Sequence, residues 1–107
     1  MKKTLRACAA VIPLLAGTAL AQQPAEADAR AAGYLAANCA NCHGTTGNAK
    51  GAMPSLAGQP KNVIVEQMKA FRDGKRPATL MHQLAKGYTD QQIELIADHF
   101  SRQKPAR

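Results

Sequence analysis

The feature that most constrains this chain is the hexapeptide CANCHG at positions 39–44, in which two thiols and an imidazole fall within a few consecutive residues. Two thiols at this spacing can form thioether bonds with the two vinyl groups of one haem, and the following histidine can bind the iron. Cys39, Cys42 and His43 are therefore the predicted attachment and ligation residues of one covalently bound haem c. A chain built on them must fold around a flat apolar group.

A Cys-x-x-Cys pair also occurs in zinc sites and in thiol-disulfide redox motifs. A structural zinc site needs two further ligands, and the chain offers only His82 and His99, whose spacing fits no common finger pattern. A redox dithiol normally follows a strand, yet no alternating or β-branched run precedes Cys39. Haem attachment is the preferred interpretation because it alone gives the adjacent histidine a role.

Residues 1–21 are predicted to be a cleaved secretory signal peptide. Lys2, Lys3 and Arg6 form a basic start, an apolar run follows, and small residues precede the expected cut after Ala21. The apolar run, about 14 residues long, is shorter than the roughly 20 residues that span a bilayer. These features predict a periplasmic location and no stable membrane insertion for the mature chain, residues 22–107.

The mature chain is small for a fold that must build its own core. Cleavage removes Cys8, so the remaining cysteines are those of the haem stretch and no structural disulfide is left. A chain of this size buries only about 60% of its unfolded surface, and it has two Phe, two Tyr and no Trp. A bound haem would supply the missing apolar centre.

The mature chain is predicted to be an all-α domain with three main helices around the haem. An Ala-rich helix is expected at 26–38, a second with an apolar stripe from about residue 60 to 73, and a third from the capping box TDQQ at 89–92 to about Arg102. Residues 22–27 are predicted as an unpatterned leader, and 44–58 and 74–87 as loops, the latter with a short turn at 82–86. The tail beyond Arg102 is expected to fray.

The iron of a small haem electron carrier is six-coordinate, so a second axial ligand is required. The candidates are Met53, Met68, Met81, His82 and His99. Met68 and His99 fall within helical periods, which favours packing, and Met53 is close along the chain to His43. Met81 is preferred because a helix and a loop give the chain enough length to pass around the haem, and His82 is the next candidate.

The iron-binding histidine also needs an acceptor for its other ring nitrogen. Pro54 offers a carbonyl in the loop that follows His43, at a suitable distance along the chain. Spacing alone predicts equally well that this proline only stiffens the loop.

Taken together, these motifs resemble those of class I c-type cytochromes over the whole mature chain. The shared features are CANCHG at 39–44, PSLAGQ at 54–59, Met81 and a capped C-terminal helix. The resemblance implies an all-α fold whose first and last helices cross beside the haem, axial ligation by His43 and Met81, and the Pro54 carbonyl as acceptor for His43. An aromatic residue near the end of the last helix is usual in the family, and here either His99 or Phe100 could make the crossing.

Residues 65–90 are most similar to the haem subunit of flavocytochrome c sulfide dehydrogenase and to related bacterial cytochromes. The segments concerned are VEQMKAFRDGKRP at 65–77, TLM at 79–81 and KGYTD at 86–90. This resemblance implies a partner flavoprotein that oxidises sulfide and passes single electrons to the haem. A free carrier delivering electrons to a terminal oxidase or a reaction centre is the alternative.

The predicted ligand pair favours electron transfer over catalysis. Two axial side chains leave no open position for a substrate, whereas a haem enzyme or gas sensor needs an open or labile sixth position. The chain is therefore predicted to be an electron-transfer protein and not itself an enzyme.

Charge predicts how a partner would be recognised. Basic residues outnumber acidic ones between positions 61 and 86, with Lys61, Lys69, Arg72, Lys75, Arg76 and Lys86 against Glu66 and Asp73. Such a surface steers association with a redox protein that has an acidic docking surface, although an ordinary solvated helix face has the same composition. A nucleic-acid partner is not expected, because the chain is exported and lacks base-stacking aromatics.

Overall fold

The computed structural model describes residues 23–107, which form four α-helices and one 3₁₀ turn. The helices are α1 (Gln23–His43), α2 (Lys61–Arg72), α3 (Met81–Leu84) and α4 (Asp90–Ser101), and the turn is Ala85–Gly87. Residues 23–107 contain no strand, which confirms the all-α prediction. The signal peptide expected at 1–21 lies outside the described residues. None of the helices described is long and apolar enough to cross a membrane.

The first helix is longer at both ends than predicted. It begins at Gln23, inside the expected leader, and continues through His43, so the expectation that it ends at Asn38 is wrong. Alanine has the highest helix propensity and supports the early start. The helix stops at Gly44, whose φ is 87° and whose amide still donates to the Ala40 carbonyl at 3.0 Å. Glycine at this position ends helices because it adopts positive φ without steric cost.

The core lies where α4 packs against both α1 and α2. Its buried members are Ala36, Ile64, Val65, Met68, Ala85, Ile93, Ile96, Ala97 and Phe100. This confirms the predicted apolar face of α4 and, at Ile64 and Met68, the predicted apolar stripe of α2; Val65 is not part of the predicted stripe. The small side chains of Ala32 and Ala36 on α1 are also buried, and residues of this size allow two helix backbones to approach closely.

Phe100, and not His99, fills the interior at the end of α4. The Phe100 side chain is fully buried, whereas His99 is only partly buried. The His99 ring meets the Phe100 ring edge-on, with 5.2 Å between the ring centroids. The aromatic residue near the end of the last helix is therefore Phe100.

The start of α4 is set by the capping box that the sequence predicts. The Thr89 hydroxyl accepts from the Gln92 amide at 3.2 Å, and the Gln92 side chain accepts from the Thr89 amide at 3.0 Å. Tyr88, one residue earlier, packs against the core. Local chemistry alone thus fixes this helix end.

A cluster of charged side chains joins the last turn of α2 to the first turn of α4. Asp90 lies 2.6 Å from an Arg72 nitrogen and 3.7 Å from the Lys69 ammonium. The hydrogen bond from Arg72 holds the pKa of Asp90 below its ordinary value and raises the pKa of Arg72. A carboxylate in the first turn of a helix also interacts favourably with the helix dipole.

The C-terminal tail is held against the loop after α1, so the expectation that it frays is wrong. The Asn48 side-chain amide donates to the Lys104 carbonyl at 3.0 Å, and its oxygen accepts from the Ala106 amide at 2.6 Å. One side-chain amide can satisfy both a donor and an acceptor of the tail backbone. Because these partners are far apart in sequence, no local pattern reveals the contact.

We expect Asp90→Asn to lower the urea midpoint of unfolding at neutral pH, because it removes the charge that Arg72 and Lys69 share. A carboxyl whose folded-state pKa is depressed stabilises the fold above its unfolded pKa, and this contribution disappears as the pH falls through the folded-state value. The ordinary pKa of this carboxyl is 3.8 and the folded-state value lies lower. The two proteins should therefore differ at pH 7 and converge well below pH 3.8.

Glu26→Gln is the matched control, since Glu26 forms an exposed pair with Arg30 at 3.7 Å on α1. Exposed pairs of this kind contribute little, so the midpoint should hardly move. A difference between wild type and Asp90→Asn that persists unchanged at low pH would contradict the assignment to charge.

Candidate functional site

His43 is the last residue of α1 and is 7% exposed. Its Nδ1 atom lies 2.7 Å from the carbonyl oxygen of Pro54. A carbonyl oxygen can only accept a hydrogen bond, so Nδ1 carries the proton and donates it. In the neutral imidazole the other nitrogen, Nε2, then has a free lone pair. This is the tautomer that a metal-binding histidine uses.

The loop of residues 44–58 carries Pro54 to this position. The Gly47 carbonyl accepts from the amides of Leu56 at 2.7 Å and Ala57 at 3.1 Å, which joins the two arms of the loop. A second bond, from the Ala49 amide to the Ser55 hydroxyl at 2.9 Å, joins the arms nearer to Pro54. Pro54 therefore lies at the closed end of a loop that is bonded across its width.

Gly47 also fixes the loop on the protein core. Its φ is 76°, a conformation that favours glycine. A Cβ atom at this position would lie 2.7 Å from the Phe100 ring and 2.9 Å from the Ala57 nitrogen. The backbone of the loop thus rests directly on Phe100, which links the end of α4 to the loop that reaches His43.

The two cysteines lie on α1, three residues apart, and both are free. Cys39 is partly buried against the core and Cys42 is exposed. Burial raises the pKa of the Cys39 thiol, and a backbone hydrogen bond only partly opposes this effect. Redox dithiols depend on a thiolate near neutral pH, so the environment of Cys39 disfavours that interpretation.

Two donor atoms lie at the start of α3. Met81, its first residue, is partly buried against the same core cluster that Cys39 contacts. The neighbouring His82 has a buried Nδ1 atom with no hydrogen-bond partner among the described residues. Buried polar atoms are normally paired. Because this nitrogen has no partner, His82 remains, with Met81, a candidate to bind the iron.

The other candidate ligands have different surroundings. Met68 is 7% exposed within the core, in keeping with the packing role predicted for it, and Met53 is 42% exposed. His99 contacts Phe100 and its Nε2 atom lies 3.4 Å from the Gln103 amide.

The donor set is chemically suited to a covalently attached haem c. It comprises two free thiols on adjacent turns of one helix, a histidine held in the metal-binding tautomer, and a thioether against the same core. His43 would bind the iron through its Nε2 nitrogen, and Met81 would bind it through its thioether sulfur. A bound haem supplies a one-electron iron couple.

Sequence patterns did not point to Asn48 or to the orphaned nitrogen of His82. An asparagine in a glycine-rich loop predicts only a turn. Whether a histidine next to a candidate ligand is buried depends on how α3 packs, which no local pattern contains.

The chain is similar to known proteins over most of the described residues. Residues 25–100 match the family model described as cytochrome C oxidase, cbb3-type, subunit III. The chain is 42% identical over 66 residues to the cytochrome subunit of sulfide dehydrogenase from Chlorobaculum tepidum, covering 62% of this chain and 60% of that protein. It is 37% identical over 81 residues to cytochrome c-554(548) from Halomonas halodenitrificans, covering 72% of this chain and 98% of that protein.

A solved structure of cytochrome c4 from Acidithiobacillus ferrooxidans superposes with a TM-score of 0.66 at 33% identity, covering 71% of this chain and 50% of that one. The chain therefore spans less than two thirds of the length of this cytochrome c4 and of the Chlorobaculum subunit. The chain belongs to the class I c-type cytochromes, electron carriers that bind haem c covalently.

Gly47→Ala should destabilise the protein by about 2–5 kcal/mol, since a left-handed alanine costs about 1–2 kcal/mol and overlap with a packed neighbour adds about 1–3 kcal/mol. Gly51→Ala is the matched control, because Gly51 has φ 65° and no atom lies within 4 Å of the position that its Cβ would occupy. It should show the backbone cost alone, about 1–2 kcal/mol. Urea unfolding of the haem-loaded proteins measures both, and equal losses would contradict the contact between Gly47 and Phe100.

Proposed function

We propose that this class I c-type cytochrome carries single electrons by outer-sphere transfer in the periplasm, as the haem subunit of a flavoprotein sulfide dehydrogenase. Cys39 and Cys42 hold one haem through thioether bonds, His43 and Met81 are its axial ligands, and Pro54 orients His43. The observation that carries this proposal is the 2.7 Å hydrogen bond from His43 Nδ1 to the Pro54 carbonyl, because it leaves Nε2 available to the iron.

The protein's own residues support transfer over catalysis. His43 is buried at the end of a long helix, and Met81 is packed against the core. Ligands held in this way change their positions little, which suits a site that gains and loses electrons without binding a substrate. In this proposal residues 1–21 direct export and are removed, and residues 22–107 are the functional domain.

Ion pairs within the protein reduce the number of basic residues that could bind a partner. Lys61 pairs with Glu94 at 3.1 Å, and both Lys69 and Arg72 pair with Asp90. Among the basic residues between positions 61 and 86, three exposed ones have no carboxylate partner in the described part of the chain, and we call them the basic cluster: Lys75, Arg76 and Lys86.

The basic cluster has a defined position in the fold. Lys75 and Arg76 follow the end of α2, and the 3₁₀ turn that contains Lys86 packs against α2. The Arg76 guanidinium lies 4.9 Å from the centre of the Phe71 ring, a cation–π distance that restrains the side chain. In our proposal this cluster meets an acidic surface on the partner.

The similarity to the Chlorobaculum tepidum cytochrome subunit of sulfide dehydrogenase supports a flavoprotein partner. A second candidate function is that of a free electron carrier. The Halomonas halodenitrificans cytochrome favours it, because the match covers 98% of that protein. A cytochrome of this size therefore exists as a separate chain.

Purification of the native protein from its own cells at low salt distinguishes the two functions. Absorbance is followed at haem and flavin wavelengths, and sulfide is then added to the pooled fractions. Co-elution of flavin and haem in a fixed ratio, with reduction of the haem by sulfide, is the expected result. A haem peak free of flavin, at the mass of the mature chain, would overturn the subunit assignment in favour of a free carrier.

The same complex tests the basic cluster. Lys75→Glu should weaken the association and reduce its dependence on ionic strength, because fewer charges then steer the encounter. Arg30→Glu makes the same change in net charge on α1, away from the cluster, and should alter the association much less. Equal effects from the two variants would show that net charge, and not this cluster, governs docking.

Met81→Ala should abolish the sulfur-to-iron charge-transfer band of the oxidised protein and lower the reduction potential, because a thioether ligand favours ferrous iron. Two variants serve as controls. Met68→Leu changes a buried methionine that packs in the core, and His82→Ala removes the competing nitrogen; both should keep the band. Loss of the band in His82→Ala, or its survival in Met81→Ala, would contradict the assignment of Met81.

A further inference from the structure

Asn48 joins one arm of the loop of residues 44–58 to the C-terminal tail by hydrogen bonds. The Asn48 amide nitrogen donates to the Lys104 carbonyl at 3.0 Å, and the Asn48 oxygen accepts from the Ala106 amide at 2.6 Å. A single side chain therefore pairs with two backbone groups of the tail, as a neighbouring strand would. We refer to Asn48 and residues 104–106 as the tail clasp.

The returning arm of the loop is held by the same part of the protein. The Gly58 amide donates to the Phe100 carbonyl at 3.0 Å. A Cβ atom on Gly58, whose φ is 71°, would lie 2.5 Å from Cγ of Pro105. The tail thus packs against the loop backbone at Gly58 while it hydrogen-bonds the other arm at Asn48.

A short series of contacts leads from the clasp to His43. The residue after Asn48 is Ala49, whose amide donates to the Ser55 hydroxyl at 2.9 Å. Ser55 directly follows Pro54, whose carbonyl accepts from His43 Nδ1 at 2.7 Å. These contacts connect the Asn48 arm to the carbonyl that accepts the hydrogen bond from His43.

We propose that the tail clasp positions His43, by holding the loop so that the Pro54 carbonyl stays in line with Nδ1. This inference rests on the proposed function, because it takes His43 as the iron ligand. Asn48 is a positioning residue in this scheme, since it acts through the loop and does not contact the histidine.

The clasp has a directional effect on the reduction potential. An acceptor for the second ring nitrogen of a ligating histidine makes that ligand more basic. A more basic ligand stabilises the oxidised metal relative to the reduced one. Release of the clasp lengthens or misaligns the bond to Pro54, so the potential should rise.

The test is Asn48→Ala in the haem-loaded protein, with three readouts: amide hydrogen exchange, the NMR signal of the His43 ring, and the reduction potential. Exchange at Leu56 and Ala57, whose amides bond to Gly47, should become on the order of tenfold faster. The His43 Nδ1 proton should exchange faster with solvent, and the potential should shift upward.

Two matched variants separate positioning from general destabilisation. Thr46→Val removes the 2.9 Å bond between Asn48 and Thr46 within the loop but leaves the bonds to the tail, so the His43 signal and the potential should stay unchanged. Asp90→Asn weakens the junction of α2 and α4 without touching the loop, so unfolding should become easier while the potential stays the same.

Removal of residues 105–107 takes away Pro105 and the amide of Ala106, and it should reproduce the effects of Asn48→Ala. The truncated Asn48→Ala protein should show little further change, because the two changes break the same contact. Fully additive effects would overturn the clasp as a single unit. Unchanged exchange and potential in Asn48→Ala, or faster exchange with an unchanged His43 signal and potential, would overturn the positioning role.

These readouts do not involve the flavoprotein or sulfide, so failure of the partner assignment leaves them intact. Failure of the ligand assignment is recognised separately, because the His43 ring signals of the wild-type protein would then lack the shifts that bound iron causes.

Discussion

The hydrogen bond between His43 and the Pro54 carbonyl is the constraint on which the rest of the site depends. A buried imidazole with an unpaired N–H group costs about 1–3 kcal/mol, so the loop after α1 must turn back to bring an acceptor. That return requires the positive φ of Gly47 and the hydrogen bonds that join the two arms of the loop. The hydrogen bond to one ring nitrogen thus depends on the conformation of a whole irregular segment.

The last helix connects this loop to the remainder of the protein. The Phe100 ring packs against the loop backbone at Gly47. The Phe100 carbonyl accepts a hydrogen bond from the Gly58 amide. The other buried side chains of α4 form the core with α2 and with the alanines of α1. Core packing and histidine orientation are therefore coupled in this small domain, and the C-terminal tail extends the same coupling beyond the helix.

The number of basic residues in the sequence overstates the number that are available on the surface to bind a partner. The sequence contains six basic residues between positions 61 and 86, and three of them are engaged with Glu94 or Asp90. Those ion pairs link α2 to α4, so these basic side chains are already engaged within the protein. The residues left for docking form a smaller group at the end of α2 and the adjoining 3₁₀ turn, a distinction that net charge cannot make.

The sequence by itself determined the features that depend on neighbouring residues: the spacing of the two cysteines and the histidine at 39–43, the apolar face of α4 and the capping box at Thr89. It placed the end of α1 wrongly, because the helix continues until Gly44, and it missed the tail contact of Asn48. Tertiary structure alone decided which aromatic fills the core, which basic residues stay unpaired, and how Pro54 reaches His43. Each of these depends on contacts between residues that are far apart in sequence, and local propensity carries no information about such contacts.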